Sequence, residues 1–153
     1  RGVMEHVRDI NALVDNFNSL ISHSGILVIY VPNDRGPLIN RYRKRIGKGF
    51  TDCLPFCPPE HIRYFTHNSL EKLMKRHGFK RRFSRMATLP VEAFLLSDST
   101  DYYSHKEKGK TVHDIRCQFA EELFNSDHLK VVNLLQSLGE LNMGRDIVHC
   151  YSK

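Results

Sequence analysis

The residues of this chain that could do chemistry gather in three polar groups: Glu5-His6, Asn33-Asp34, and Glu60-His61-Ile62-Arg63-Tyr64. Val3-Met4 precedes the first, Val31-Pro32 the second, and the third stands between a long loop and a helix. In open α/β sheets ligands bind beyond the carboxyl ends of strands, so polar residues at such places are candidates to touch one. A loop with a purely structural role would not need them there. A further pattern, Cys53-x-x-x-Cys57-x-x-x-His61, lies near the spacing of zinc ligands. A fourth ligand is not evident, and Pro55, Pro58 and Pro59 crowd the segment, which favours structural cysteines in a loop. Two basic clusters, Arg41 to Lys48 and Lys75 to Arg85, interleave with Tyr42, Phe79 and Phe83. Cations for phosphate and rings for stacking suit RNA. A solvated face, with cations at a helix C-terminus, accounts for them equally well and is preferred.

These groups need elements to position them. Ile10, Leu13, Val14, Phe17, Leu20 and Ile21 share one helical face, with Asp9 as N-cap and Ser24-Gly25 as the stop. Ile26 to Val31 is a continuous apolar run that does not alternate, which predicts a central strand of a parallel sheet, covered on both faces. A short basic helix is expected near residues 37–46, then an irregular loop through the prolines. Such a long loop in a compact domain is usually functional. Thr66 or Asn68 caps a helix that turns Leu70, Leu73 and Met74 inward, and Gly78-Phe79 closes it in a Schellman stop. One or two strands follow over 79–96, broken at Pro90, and 97–110 is a polar loop. Val112, Ile115, Phe119 and Leu123 mark one helix and Leu129 to Leu138 another, stopping at Gly139; Asp146 to Tyr151 is a last strand.

The 153 residues suit a single domain. A composition 41% apolar and 26% charged can build a core, which excludes a disordered chain. The net charge of +6 permits an anionic partner without demanding one. No apolar run reaches the roughly 18 residues a membrane span needs, and no leader marks the chain for secretion. Four scattered cysteines, Cys53, Cys57, Cys117 and Cys150, suggest a reducing, cytoplasmic setting. A chain that opens on Arg1-Gly2 is expected to be a processed product or a piece of a longer protein.

Three blocks carry a resemblance. Gly2-Val3-Met4-Glu5-His6-Val7 is followed by the amphipathic helix, then by Ser24-Gly25-Ile26-Leu27-Val28-Ile29-Tyr30-Val31-Pro32-Asn33. Glu60-His61-Ile62-Arg63-Tyr64-Phe65-Thr66 then leads into Ser69-Leu70-Glu71-Lys72-Leu73 and closes at Gly78-Phe79. In this order the blocks resemble the second half of a class I S-adenosylmethionine-dependent methyltransferase of the type 11/12 kind. They cover residues 1 to about 90; residues 91–153 match in general plan.

The resemblance implies an α/β fold: the carboxy-terminal half of a Rossmann-like sheet with helices on both faces, one domain over 1–153, and a substrate-side lid over 34–66. Arg1 to Val7 would end the fourth strand, Ile26 to Asn33 would be the fifth, and Asp146 to Tyr151 the antiparallel seventh. Arg1, Gly2 and Val3 would border the methionine part of S-adenosylmethionine. Glu5, His6 and His61 would face the transferred methyl group, with His61 as a general base whose imidazole titrates in the right range. Asn33, Arg63 and Tyr64 would meet the substrate. In some branches of the family a Glu-x-x-Glu-His cluster with a later His holds a divalent ion. Here Glu5, His6 and His61 match while Gly2 replaces the first carboxylate, so no metal is assigned and these three remain the candidate set.

The family's Gly-rich turn and its ribose-binding acid have no counterpart, since Gly47-Lys48-Gly49 lies in the wrong place. The chain alone is therefore expected to bind little cofactor and to be inactive. The expected function is methyl transfer to an unidentified small-molecule or RNA acceptor. The alternatives are a non-catalytic binding module that self-associates through an exposed sheet edge, and an RNA-binding domain.

Overall fold

The computed structural model describes residues 1–33, 35–38, 40–41, 59–87, 114 and 117–153. The chain opens on a 3-10 turn, Met4–His6, followed by helix α1, Ile10–Leu20. Asp9 caps α1 by accepting from the Ala12 amide at 3.0 Å. Strand β1, Ile26–Pro32, follows. Helix α2, His67–Arg76, starts in a capping box between Thr66 and Ser69. It ends as expected. Gly78 sits at φ +86°, its amide reaches Lys75 O, and the amide of buried Phe79 reaches Met74 O. Strand β2, Lys80–Arg85, helix α3, His128–Glu140, and strand β3, Asp146–Ser152, complete the labelled elements; residues 117–124 are also helical. Among the described residues no helix is long and apolar enough to cross a membrane.

The sheet has the order β1-β3-β2, with β3 antiparallel to both neighbours. This corrects the expected centre. Ile26 to Val31 does form a strand, but its strand partner among the described residues is the antiparallel β3, and β3 is the middle strand. All seven residues of β3 are buried, whereas Ile26 and Val28 on β1 are 67% and 58% exposed. A continuous apolar run specifies what a strand must be covered by, and leaves open which strand lies beside it. The opening segment is also corrected: Arg1–Val3 is not a strand, because Gly2 at φ +61° breaks the extended backbone. One trace of strand pairing remains, the Gly2 amide donating to Tyr30 O at 3.2 Å.

Ile10 and Val14 of α1 and Leu70, Leu73 and Met74 of α2 meet Ile29, Val31, Ile147 and Tyr151 in the main core. A smaller cluster joins Met86 to Val131 and Leu135 of α3. Gly139 is not the helix stop that its place suggests, since α3 runs to Glu140. A Cβ there would lie 2.3 Å from the Arg85 backbone, so the missing side chain is what allows α3 to press onto β2. Glu140 accepts from the Ser84 amide at 2.6 Å and from Arg81 at 2.8 Å. Burial alone would raise the Glu140 carboxyl; Arg81 and the Ser84 amide bring it below the usual carboxylate range. Residues 37, 38, 40 and 41 are helical, where the basic helix is expected to start; its basic residues 43–45, most of the 34–66 segment with Cys53 and Cys57, and the 88–113 stretch lie outside the described residues.

A buried polar chain crosses the core. His149 bonds Tyr151 Oη at 2.7 Å through Nδ1 and His67 Nδ1 at 3.0 Å through Nε2. Burial, then the neighbouring His67 and Arg81, hold the His149 imidazole down to about 3. Burial also lowers His67 and raises Tyr151.

Two predictions follow from this packing. Gly139→Ala overpacks the contact between α3 and β2 and lowers stability by about 1–3 kcal/mol in urea denaturation. The unfolded chain takes up the His149 proton below the ordinary histidine value while the folded chain refuses it until about 3. Stability is therefore full above about pH 6.5 and falls as the pH drops through that window. Urea midpoints of His149→Phe between pH 6 and 4 should show a limb shallower by roughly 1.4 kcal/mol per pH unit, the contribution of one proton.

Candidate functional site

Glu5 and His6 lie in the opening 3-10 turn, and His61 lies in the extended segment that leads into α2. These stretches meet through backbone groups. Glu5 O accepts the amides of both Ile62 and Arg63, at 2.9 and 3.0 Å, and His6 Nδ1 bonds Glu60 O at 2.7 Å. Arg63 completes the joint, its Nε donating to Val7 O at 2.8 Å and its terminal Nη2 to Arg8 O. Tyr64 Oη donates to His61 O at 2.7 Å and stiffens the turn that carries His61.

The outcome is a cluster. Ligand atoms of Glu5, His6 and His61 all lie within 4.8 Å of one another, and the two imidazoles stand edge to face with centroids 4.8 Å apart. Glu5 is 3% exposed, with Oε1 at 4.0 Å from His6 Nε2. Glu5 Oε2 and His61 Nδ1 are buried without a hydrogen-bond partner. Buried polar atoms are normally paired, and exceptions gather where a ligand completes the set. One carboxylate and two imidazoles suit a borderline cation such as zinc better than a hard one, which requires more oxygens. Alternatively, the same atoms can receive the proton of a bound hydroxyl or amine.

The other expected site residues sit elsewhere or are already engaged. Arg1, Gly2 and Val3 lie beside β1, with the Arg1 guanidinium 4.5 Å from the centre of the Tyr30 ring. A cavity of about 280 Å³ opens there, lined by Arg1, Val3, Leu13, Phe17, Leu27 and Tyr30. Asn33 is wholly buried: its Nδ2 donates to Asn142 Oδ1 and Gly144 O, both at 2.8 Å, tying the end of β1 to the approach to β3. The two nitrogens of Arg63 that reach Val7 and Arg8 are occupied by protein. In the second basic cluster Arg81 pairs with Glu71 and Glu140, and Arg82 donates to Ser152 Oγ at 2.7 Å. Those two cations serve the fold. Cys117 and Cys150 are free thiols.

Sequence reasoning named the members of the cluster and missed what joins them, because a backbone carbonyl leaves no mark in a sequence. The His67–His149–Tyr151 chain was missed too. Its signal was present: His149 interrupts the buried face formed by Ile147 and Tyr151 on a strand whose side chains alternate.

Residues 1–82 match the family described as a methyltransferase domain, and that span contains Glu5, His6 and His61. The chain belongs to this methyltransferase family. None of the curated proteins compared with it matches. Within the matched span the cluster brings two buried, unpartnered polar atoms together, Glu5 Oε2 and His61 Nδ1; Asn33 Oδ1 is also buried without a partner.

Replacing Glu5, whose Oε2 is buried without a hydrogen-bond partner, should therefore stabilise the fold, as removal of an unsatisfied buried polar atom does. Glu5→Met is expected to gain about 1–2 kcal/mol in urea denaturation. A loss of stability would mean that Glu5 is a structural member of the joint.

Proposed function

We propose that this chain is the carboxy-terminal part of an S-adenosylmethionine-dependent methyltransferase with a Rossmann-like sheet, and that the methyl acceptor sits against Glu5, His6 and His61. The observation that carries the proposal is the pair of buried, unpartnered atoms, Glu5 Oε2 and His61 Nδ1, inside a matched methyltransferase span. The strand order supports it, since β1 and β2 both run antiparallel to a central last strand, as the fifth, sixth and seventh strands of such a sheet would.

S-adenosylmethionine, when bound, supplies an electrophilic methyl group on a sulfonium. Arg1, Gly2 and Val3 would border its methionine end. Gly2 sits at φ +61°, which favours glycine, and a Cβ there would lie 3.7 Å from Glu5 Oε1, so this backbone runs beside the Glu5 carboxyl group. The remaining cofactor contacts would come from residues upstream of Arg1, which would pair with the exposed flank of β1 where Gly2 already bonds Tyr30. Self-association through that flank is the competing use of the edge.

His61 takes the acceptor proton at its buried imidazole nitrogen, while Glu5 and His6 hold the acceptor in line. Positioning supplies most of the acceleration, with proton transfer adding to it.

The test is methyl-group transfer from radiolabelled S-adenosylmethionine by the chain expressed with its upstream reading frame, offered separate RNA and small-molecule fractions. His61→Asn should lower incorporation by about 100-fold or more. Equal transfer by the variant would remove His61 from the chemistry, and no transfer to any fraction by the parent would remove the proposal.

A further inference from the structure

We infer that Arg63 is the positioning residue that holds Glu5, His6 and His61 together as one site, and that it does so by clamping two carbonyls at the start of α1. The inference deepens the methyl-transfer reading, because it concerns the geometry of that same cluster.

The geometry is specific. Nε of Arg63 donates to Val7 O and a terminal nitrogen of the same guanidinium donates to Arg8 O, so one planar fork spans two successive carbonyls. Those carbonyls belong to the link between the turn that carries Glu5 and His6 and the Asp9 cap of α1. The Arg63 amide, on the other side of the same residue, donates to Glu5 O. Arg63 therefore grips residues 5, 7 and 8 at once, two positions after His61. The other bonds of the joint come from backbone amides or from His6, a member of the cluster itself. Arg63 is thus a side chain outside the cluster that ties the two stretches together.

Charge-assisted bonds from a guanidinium are stronger than neutral ones, and the fork is already shaped for paired oxygens. Lysine carries the charge without the fork and can serve one carbonyl at a time. A residue needed only for a substrate's charge would tolerate that exchange. A clamp would not.

The experiment compares the parent chain with Arg63→Lys and Arg63→Gln by amide hydrogen exchange and by imidazole nitrogen NMR, with no methyl donor present. Exchange at the Ile62 and Arg63 amides is expected to rise at least tenfold in both variants, while Ile29, Val31 and Ile147 in the core keep their protection. The imidazole signals of His6 and His61 should move, and those of His67 and His149, bonded to each other away from the joint, should stay. Unchanged Ile62 exchange and unchanged His6 and His61 signals would overturn the clamp. Loss of protection in the core of both variants would overturn it as well, since Arg63 would then support the whole domain. Because neither measurement uses methyl transfer, a failed transfer assay beside a positive clamp result would count against the proposed chemistry alone.

Discussion

The Glu5 carbonyl oxygen is the joint on which the candidate site depends. It accepts two successive amides, those of Ile62 and Arg63, from a segment more than fifty residues away in sequence. One acceptor satisfies both amides. That sharing fixes the 60–63 backbone against the opening turn and sets His61 beside Glu5 and His6. Side chains then complete what the backbone starts: His6 reaches back to Glu60, and Arg63 reaches forward to Val7 and Arg8.

The sheet beneath this joint is lopsided. Its last strand, β3, lies in the middle and is buried throughout. On one side β2 is overlaid by α3, whose Glu140 takes the Ser84 amide and whose Gly139 makes the close approach possible. A strand bounding a sheet presents unpaired amides and carbonyls, and covering it with a helix is one of the ways proteins satisfy or shield them. On the other side β1 carries exposed Ile26 and Val28 beside a cavity that α1 helps to line.

Much of this was legible residue by residue. Asp9, the Thr66 cap and the Gly78-Phe79 stop act through neighbours a few positions away, so local chemistry sufficed to place them. The apolar faces of α1 and α2 followed from helical spacing. Reading Ile26 to Val31 as an interior parallel strand did not foresee that, among the described residues, its neighbour is the antiparallel β3, because strand order is not written in strand composition. Gly139 misled for a related reason. A glycine after an apolar run signals a stop, yet the same residue type serves where a backbone approaches closely, and only the position of β2 distinguishes the two uses.

By itself, the sequence determined α1 and α2 with their caps, the strands at Ile26 to Val31 and Asp146 to Tyr151, and the identity of the polar residues able to do chemistry, since each depends on spacing within one turn or one strand. The tertiary structure alone decided that β3 is central, that His67, His149 and Tyr151 form a buried chain, and that Glu5, His6 and His61 share one place. Those facts rest on hydrogen bonds and packing between residues dozens of positions apart. Such contacts are set by how the elements are stacked, and no local pattern encodes the stacking.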